Sequence, residues 1–241
     1  MKSLDGHIAL VTGASRGIGR ATALAMAELD AHVVCAARNK ELLDELVEEI
    51  RQAGHKATAI VFDLAEEASI NSLADQIREQ FGRLDILVNN AGLTLSATME
   101  DTGTEDFDRI MAVNTRGPYI LTRQLLPLLK QAPQATIVNI SSVVGVKGYP
   151  KQTAYTASKH ALRGWSIALA EELRGTNIRV HVICPGGVDT DMVGNVRPDI
   201  PKDALISPEE IAELVTYCTT HKGNAVIDEF RIRRAVSGPW F

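Results

Sequence analysis

The chain is poor in cysteine, has no long apolar run and carries no surplus of positive charge. Each absence excludes something. The cysteines, Cys35, Cys184 and Cys218, lie far apart with no Cys-x-x-Cys pair. That spacing excludes a disulfide scaffold, and the apolar neighbours point to buried free thiols in a reducing compartment rather than a metal or redox site. No stretch approaches the roughly 18 consecutive apolar residues of a membrane span. The segment Met1 to Gly6 lacks the apolar core and cleavage site of a secretory signal, so the expected location is the cytoplasm. With 25 Lys+Arg against 30 Asp+Glu the formal net charge is −5, the wrong sign for a general phosphate-backbone binder. The cluster Arg231-Ile232-Arg233-Arg234 is too small a patch to change that expectation of no nucleic-acid partner. What is present is the composition of an ordinary globule, 45% hydrophobic and 23% charged. A length of 241 residues falls within the range of one α/β domain.

Short, nearly continuous apolar runs alternate with longer segments of helical period. The runs are His7 to Thr12, His32 to Ala36, Ala57 to Phe62, Asp85 to Asn89, Ala135 to Ile140, Ile178 to Ile183 and Val226 to Ile232. Unbroken apolar runs are expected of strands covered on both faces. Between them, Leu42, Leu43, Leu46, Val47 and Ile50 mark one buried helical stripe. Gly54, Gly82 and Gly175 stand where helices end and a left-handed residue is wanted. Repeated strand–helix alternation predicts βαβ units and a parallel seven-stranded sheet with helices on both faces. The stretch Gly186 to Pro208 has no clear period, and a mobile substrate loop is expected at about 190–207.

After the first strand comes Thr12-Gly13-Ala14-Ser15-Arg16-Gly17-Ile18-Gly19, opening an alanine-rich helix. Such glycines let the backbone turn sharply and approach a pyrophosphate at the helix N-terminus. The spacing is Gly-x-x-x-Gly-x-Gly, and a turn of this kind can also exist without a ligand. The second strand ends Cys35-Ala36-Ala37-Arg38, with no acid for a ribose 2′-hydroxyl. Arg38, with Arg16 from the other side, suits a 2′-phosphate, so NADP rather than NAD is the expected cofactor. Two solvated surface arginines are the plainer alternative.

Further along, Tyr155-Thr156-Ala157-Ser158-Lys159 opens a long helix. Residues four apart share a helix face, so Tyr155 and Lys159 are neighbours. An ammonium beside a phenol is expected to lower its pKa and make it a proton donor and acceptor. By itself that pair is as readily structural. Ser142, just after the fifth apolar run, falls at the carboxyl edge of a parallel sheet, where it can bond the same substrate oxygen. Asn114 interrupts a helical pattern before Gly117-Pro118, where it can hold a relay water or simply bond the local backbone.

Taken together these residues make the chain resemble the short-chain dehydrogenase/reductase family over essentially its whole length, including members that act as 3-oxoacyl-acyl-carrier-protein reductases. The resemblance implies a single doubly wound Rossmann domain spanning residues 1–241. Thr12 to Gly19 matches the family's glycine segment, which implies cofactor contacts from Gly13, Ser15, Arg16, Gly17, Ile18 and Gly19. Asp63, with Leu64 beside it, matches the residue at the adenine. Asn89-Asn90-Ala91-Gly92 matches the motif after the fourth strand, implying a role for Asn90, Ala91 and Gly92 on the adenosine side. Asn114, Ser142, Tyr155 and Lys159 match the catalytic tetrad, with Lys159 also on the nicotinamide ribose. Pro185-Gly186-Gly187-Val188-Asp189-Thr190 resembles the segment that holds the carboxamide. The C-terminal end departs from the pattern: many relatives read Gly-(x)5-Asp-Gly-Gly, where this chain has Gly223 to Glu229, a basic segment, and Pro239-Trp240-Phe241.

The implied reaction interconverts a carbonyl and a secondary alcohol, with Tyr155 as general acid/base and no metal. Ser142, Val144, Tyr155, Gly187 and Met192 are the expected substrate contacts, with Leu93, Thr94, Leu95, Val143, Tyr149 and Gln152 as further walls. Their apolar character favours a neutral or hydrophobic small molecule. The segments Ile120 to Leu129 and Ala161 to Leu173 are apolar on more than one face, which predicts a homo-oligomer, tetramer or dimer. A non-catalytic NADP sensor and an epimerase or dehydratase on the same fold are the competing readings.

Overall fold

The computed structural model describes residues 3–197 and 199–239. Pro198 of the aperiodic stretch and Trp240 and Phe241 of the tail lie outside the described residues. Seven strands form one sheet: β1 Ile8–Thr12, β2 His32–Ala37, β3 Lys56–Val61, β4 Ile86–Asn89, β5 Ala135–Ile140, β6 Ile178–Pro185 and β7 Glu229–Ile232. Their order is β3-β2-β1-β4-β5-β6-β7 and every pairing is parallel. The helices are α1 Gly17–Glu28, α2 Lys40–Gln52, α3 Glu67–Phe81, α4 Thr104–Met111, α5 Gly117–Leu129, α6 Thr153–Glu172, α7 Asp191–Val196 and α8 Pro208–Thr220.

Alternation along each strand explains why the runs are apolar throughout. Ala9 and Val11 of β1, with Val33 and Cys35 of β2, face one core under α1, α2 and α8, where Met26, Leu46, Ile50 and Val215 pack. Leu10, Val34 and Ala36 face the opposite core, with Ile70, Leu73, Leu121 and Leu125 from α3 and α5. Successive side chains point to opposite faces, so a strand sandwiched between helix layers needs an apolar residue at every position. Helix α2 buries the stripe Leu43, Leu46, Val47 and Ile50 and is capped by Asn39, whose Oδ1 accepts from Leu42 N at 2.8 Å. Each such side chain contributes about 1.5–3 kcal/mol by leaving water. Gly82, with φ of 68°, ends α3, and its N–H donates to Arg78 O. Gly54 and Gly175 also have positive φ. The free thiols of Cys35, Cys184 and Cys218 are buried.

Two expectations are corrected. The last strand begins at Glu229 rather than Val226, and Val226 and Ile227 are exposed. This edge has one neighbour, β6, and pairing with it starts only where Val182 N meets Asp228 O, so β-forming residues before that point have no ladder to join. The aperiodic stretch holds helix α7 and a 3-10 turn at Lys202–Ala204. Both are too short to leave a readable period.

The strand order reverses at β1, with β2 and β3 on one side and β4 to β7 on the other. At such a switch point the loops after adjacent strands run to opposite sides and leave a crevice at the carboxyl ends.

Candidate active site

That crevice has a volume of about 1440 Å³ and runs from Arg38 past the glycine turn to Ser142 and Tyr155. At the glycine end, Thr12 and Asn90 join two loops. Thr12 Oγ1 donates to Val88 O at 3.1 Å and accepts from Asn90 N at 3.0 Å and Ala91 N at 3.1 Å. Asn90 Nδ2 donates back to Thr12 O at 2.9 Å and Gly13 O at 3.3 Å. The loops approach so closely that a Cβ on Gly13, whose φ is +65°, would lie 2.9 Å from Ala91 Cα. Helix α1 begins behind this turn with no side-chain cap and no acid in its first turn. Among the described residues its first N–H groups have no side-chain acceptor, and they carry the positive end of the helix dipole.

Ser15, Arg16, Gly17 and Ile18 line this end, with Asp63, Leu64, Ala91 and Gly92 beside them. Gly19 does not line it: it is buried under the loop against Gly13 O and Asn90 Nδ2. Arg38 is exposed on the crevice wall. Arg16, expected to face the same place, instead pairs with Asp191 of α7 at 3.2 Å, both side chains being largely exposed. Asp63 Oδ1 accepts from Ala65 N at 2.9 Å, an Asx turn that fixes its carboxylate on the wall. Pro185, Gly186, Val188 and Thr190 follow β6 along the opposite side.

At the other end, β5 delivers Ser142 in extended conformation, and its Oγ accepts from Val144 N at 3.3 Å and meets the Tyr155 hydroxyl. Helix α6 carries Tyr155 and Lys159 one turn apart, with Lys159 Nζ 6.0 Å from the Tyr155 ring centroid. The ammonium is buried and donates to Ile140 O, the last residue of β5, at 2.9 Å. Ser141 Oγ donates to Lys159 O at 3.1 Å, so strand and helix are tied twice. Asn114 sits in a π-helical turn, Ala112–Arg116, between α4 and α5. A widened turn of this kind is what breaks the helical pattern at that residue.

Both polar atoms of the Asn114 side chain are hydrogen-bonded. Its Oδ1 accepts from Leu93 N at 2.7 Å, and its Nδ2 donates to Leu93 O at 2.8 Å and Ser158 Oγ at 2.9 Å. Ser158 in turn donates to Tyr155 O at 2.8 Å. The amide therefore locks the loop after β4 to the helix that carries Tyr155. A Cβ on Gly92 would lie 3.3 Å from Asn114 Oδ1 and 3.4 Å from Lys159 Nζ, so both atoms face one small space kept open by that glycine.

The expected acidification of the phenol by Lys159 is not what the structure contains. Loss of solvent pushes the Tyr155 phenol up to about 12, and the Ser142 hydrogen bond opposes this only in part. The amine one turn away is pulled down to about 8 by its own burial, with a smaller opposing effect from Cys184. Desolvation penalises both charged forms and is the largest cause of each shift.

The lysine shift has a consequence for stability. The folded protein releases this proton as pH rises through about 8, whereas an ordinary lysine keeps it to 10.5. The penalty for burying the ammonium is complete below the folded value and fades as pH approaches the unfolded one, so the group's contribution to stability rises across that window. Lys159→Met is expected to remove this rise. Urea midpoints at about pH 7.5 and about pH 10 check it, and parallel profiles for variant and wild type would contradict it.

Val144, Gly187 and Met192 line the same end of the crevice, with Leu93, Thr94, Val143, Tyr149 and Gln152. Leu95 is not among the lining residues. Sequence reasoning missed the supporting hydroxyls of Thr12, Ser141 and Ser158, because isolated serines and threonines give no pattern until the loops are brought together. It also did not place the segment after β7 on the crevice rim, where Arg233, Arg234 and Ser237 stand.

Comparison with known proteins gives a consistent picture. A family model described as short chain dehydrogenase matches residues 7–201. The 3-oxoacyl-acyl-carrier-protein reductase of Thermotoga maritima is 34% identical over 232 residues, covering 92% of this chain and 94% of the relative. A metagenomic short-chain oxidoreductase solved in complex with NADP is 36% identical with a TM-score of 0.86, covering 98% of this chain and 100% of that one. A short chain dehydrogenase from Escherichia coli CFT073 complexed with NADPH is 32% identical with a TM-score of 0.89, covering 95% of this chain and 97% of that one. Among the described residues no helix is long and apolar enough to cross a membrane.

Proposed function

Since the chain belongs to the short-chain dehydrogenase family, we propose that it is an NADP(H)-dependent oxidoreductase that interconverts a carbonyl and a secondary alcohol. One observation carries this reading: Ser142, Tyr155 and the buried Lys159 meet in the crevice that also holds an uncapped helix N-terminus behind a glycine turn. Proton-transfer groups and a phosphate cradle in one cleft suit hydride chemistry better than either suits a structural role.

The residues fit the cofactor. Gly13 and Gly19 allow a backbone turn that no Cβ could share, and the free N–H groups of α1 suit a pyrophosphate. Asp63 would hold the adenine and Arg38 the 2′-phosphate. The segment Pro185, Gly186, Val188 and Thr190 would hold the nicotinamide carboxamide, with Lys159 on its ribose. When bound, NADPH supplies the hydride. The chain's part is then to bind the carbonyl oxygen through Ser142 and Tyr155 and to give it the phenol proton. The protonated phenol is the form that gives its proton to a carbonyl oxygen in the reductive direction.

NADPH oxidation over a panel of ketones, diketones and β-ketoacyl thioesters tests the proposal. Turnover with formation of an alcohol is expected. Tight NADPH binding with no turnover across the panel would favour a sensor, and a redox-neutral product would favour an epimerase or dehydratase. The thioesters enter because of the name of the Thermotoga relative.

Cofactor choice gives a separate prediction. NADPH is expected to exceed NADH in kcat/KM by at least about tenfold, or about 1.4 kcal/mol. Arg38→Asp should shrink or reverse the ratio, and equal use of both cofactors by wild type would defeat it. The exposed Phe107, Tyr119 and Ile167 on α4, α5 and α6 support a homo-oligomer, tetramer or dimer. A monomeric mass in solution would contradict that assembly.

A further inference from the structure

The C-terminal end, where the chain departs from the family's usual pattern, brings a cation to the crevice just after β7. Gly186 N donates to Ile232 O at 2.8 Å, and a Cβ on Gly186 would meet Ile232 O at 3.3 Å and Arg233 Cα at 3.6 Å. The strand end is thus laid directly on the segment that follows β6. A Cβ on Gly187 would lie 3.4 Å from Arg234 Cδ and 3.8 Å from its Nε. The Arg234 side chain therefore crosses Gly187 and lines the crevice that also holds Ser142 and Tyr155.

Neighbouring arginines are already engaged. Arg197 makes a two-pronged contact with Asp199, at 2.8 Å and 2.7 Å. Arg233 Nη1 donates to the carbonyls of Arg234, Ala235 and Ser237. Arg16 pairs with Asp191, and Arg231 with Glu229. Arg234 is half-buried; its backbone O accepts from Arg233 Nη1 and Ser237 N, and among the described residues its guanidinium is in no ion pair and no hydrogen bond. The carboxylates on the crevice wall, Asp63, Asp189, Asp191 and Glu209, are all outside ion-pair distance of it, and so is Asp199, which feels its charge but is held in the two-pronged contact with Arg197. A half-buried guanidinium with no anion in contact gains a charge-assisted hydrogen bond from a ligand that supplies one.

We propose that Arg234 selects the substrate of this crevice, and that the substrate is a carbonyl compound carrying a carboxylate. The proposal rests on the reductase reading above and replaces the neutral substrate expected from the apolar walls, which remain as the seat for the substrate's carbon chain. A planar fork of donors matches a carboxylate in two-pronged fashion, and a single cation balances its single charge. The cofactor's phosphates are a poor alternative, because the uncapped helix N-terminus behind the glycine turn and the exposed Arg38 already suit them.

The test compares oxo-acids of about four to eight carbons with their methyl esters, using NADPH and both wild type and Arg234→Gln. The wild type should prefer the best acid over its ester by at least about tenfold in kcat/KM. In Arg234→Gln the KM for the acid should rise about tenfold, with kcat, the ester and the NADPH Kd unchanged, and Arg234→Lys should restore part of the loss. Equal use of acid and ester by wild type, an equal fall for both in the variant, or weakened NADPH binding would each overturn it. If neither compound is reduced, the reductase reading fails on its own. Calorimetry with saturated carboxylates and their amides then still decides about Arg234: binding of the carboxylate alone, lost in Arg234→Gln, upholds the site, and equal binding overturns it.

Discussion

Tyr155→Phe is expected to lower turnover by about 10²–10⁴-fold while leaving NADPH affinity within about twofold. The reasoning is local. The substitution removes one hydroxyl and keeps the ring, so α6 and its contacts through Ser158 and Asn114 are retained. Ser142 still accepts from Val144 N and still faces the crevice. What disappears is the phenol that meets Ser142, and with it the proton needed by a carbonyl oxygen as it becomes an alcohol. Steady-state NADPH oxidation, with binding followed by fluorescence and folding by thermal unfolding, checks all three parts. Wild-type turnover in the variant would remove Tyr155 from the chemistry.

Gly19→Ala is the second large effect, and it acts through space rather than backbone conformation. A Cβ there would fall inside contact distance of Gly13 O and Asn90 Nδ2, both parts of the stapled loops rather than mobile side-chain ends. Overpacking a tight site costs about 1–3 kcal/mol or more. That is a large share of the roughly 5–15 kcal/mol that holds a domain together. Relief requires the glycine turn to move, so NADPH binding should weaken at least about tenfold together with the loss of stability. Gly164→Ala in α6 is the control. Outside its own stretch of helix no atom of the described residues lies within 4 Å of its Cβ position, and it should stabilise by up to about 1 kcal/mol. Denaturant midpoints and NADPH titration of the two variants separate the outcomes, and an unchanged Gly19→Ala protein would contradict the packing argument.

The sheet was legible because its strands are buried on both faces, so seven apolar runs stood out against helical stripes such as Leu43 to Ile50. The edges were less legible. Val226 and Ile227 read as strand because β propensity is blind to whether a neighbour exists, and only Glu229 onward has one. The site was readable as residue types but not as electrostatics. Tyr155 and Lys159 at a four-residue spacing suggest an ion-assisted phenol, yet burial shifts both groups toward their neutral forms. Sequence spacing reports proximity and says nothing of the solvent each group has lost. Asn114 is similar: the break in the helix was visible, while the engagement of its amide by Leu93 and Ser158 depends on a loop from a different strand. Arg234 was hidden for the same reason, since its place over Gly187 is set by the register of β7 on β6.

The most direct measurement is the fate of the label when NADPH carrying deuterium at both positions of nicotinamide C4 is incubated with a carbonyl compound that the protein turns over. Mass spectrometry of the product should find one deuterium at the new alcohol carbon for each NADPH oxidised, formed far more slowly by Tyr155→Phe. NADPH loss without label in the alcohol, or labelling at the same rate in both proteins, would contradict the account.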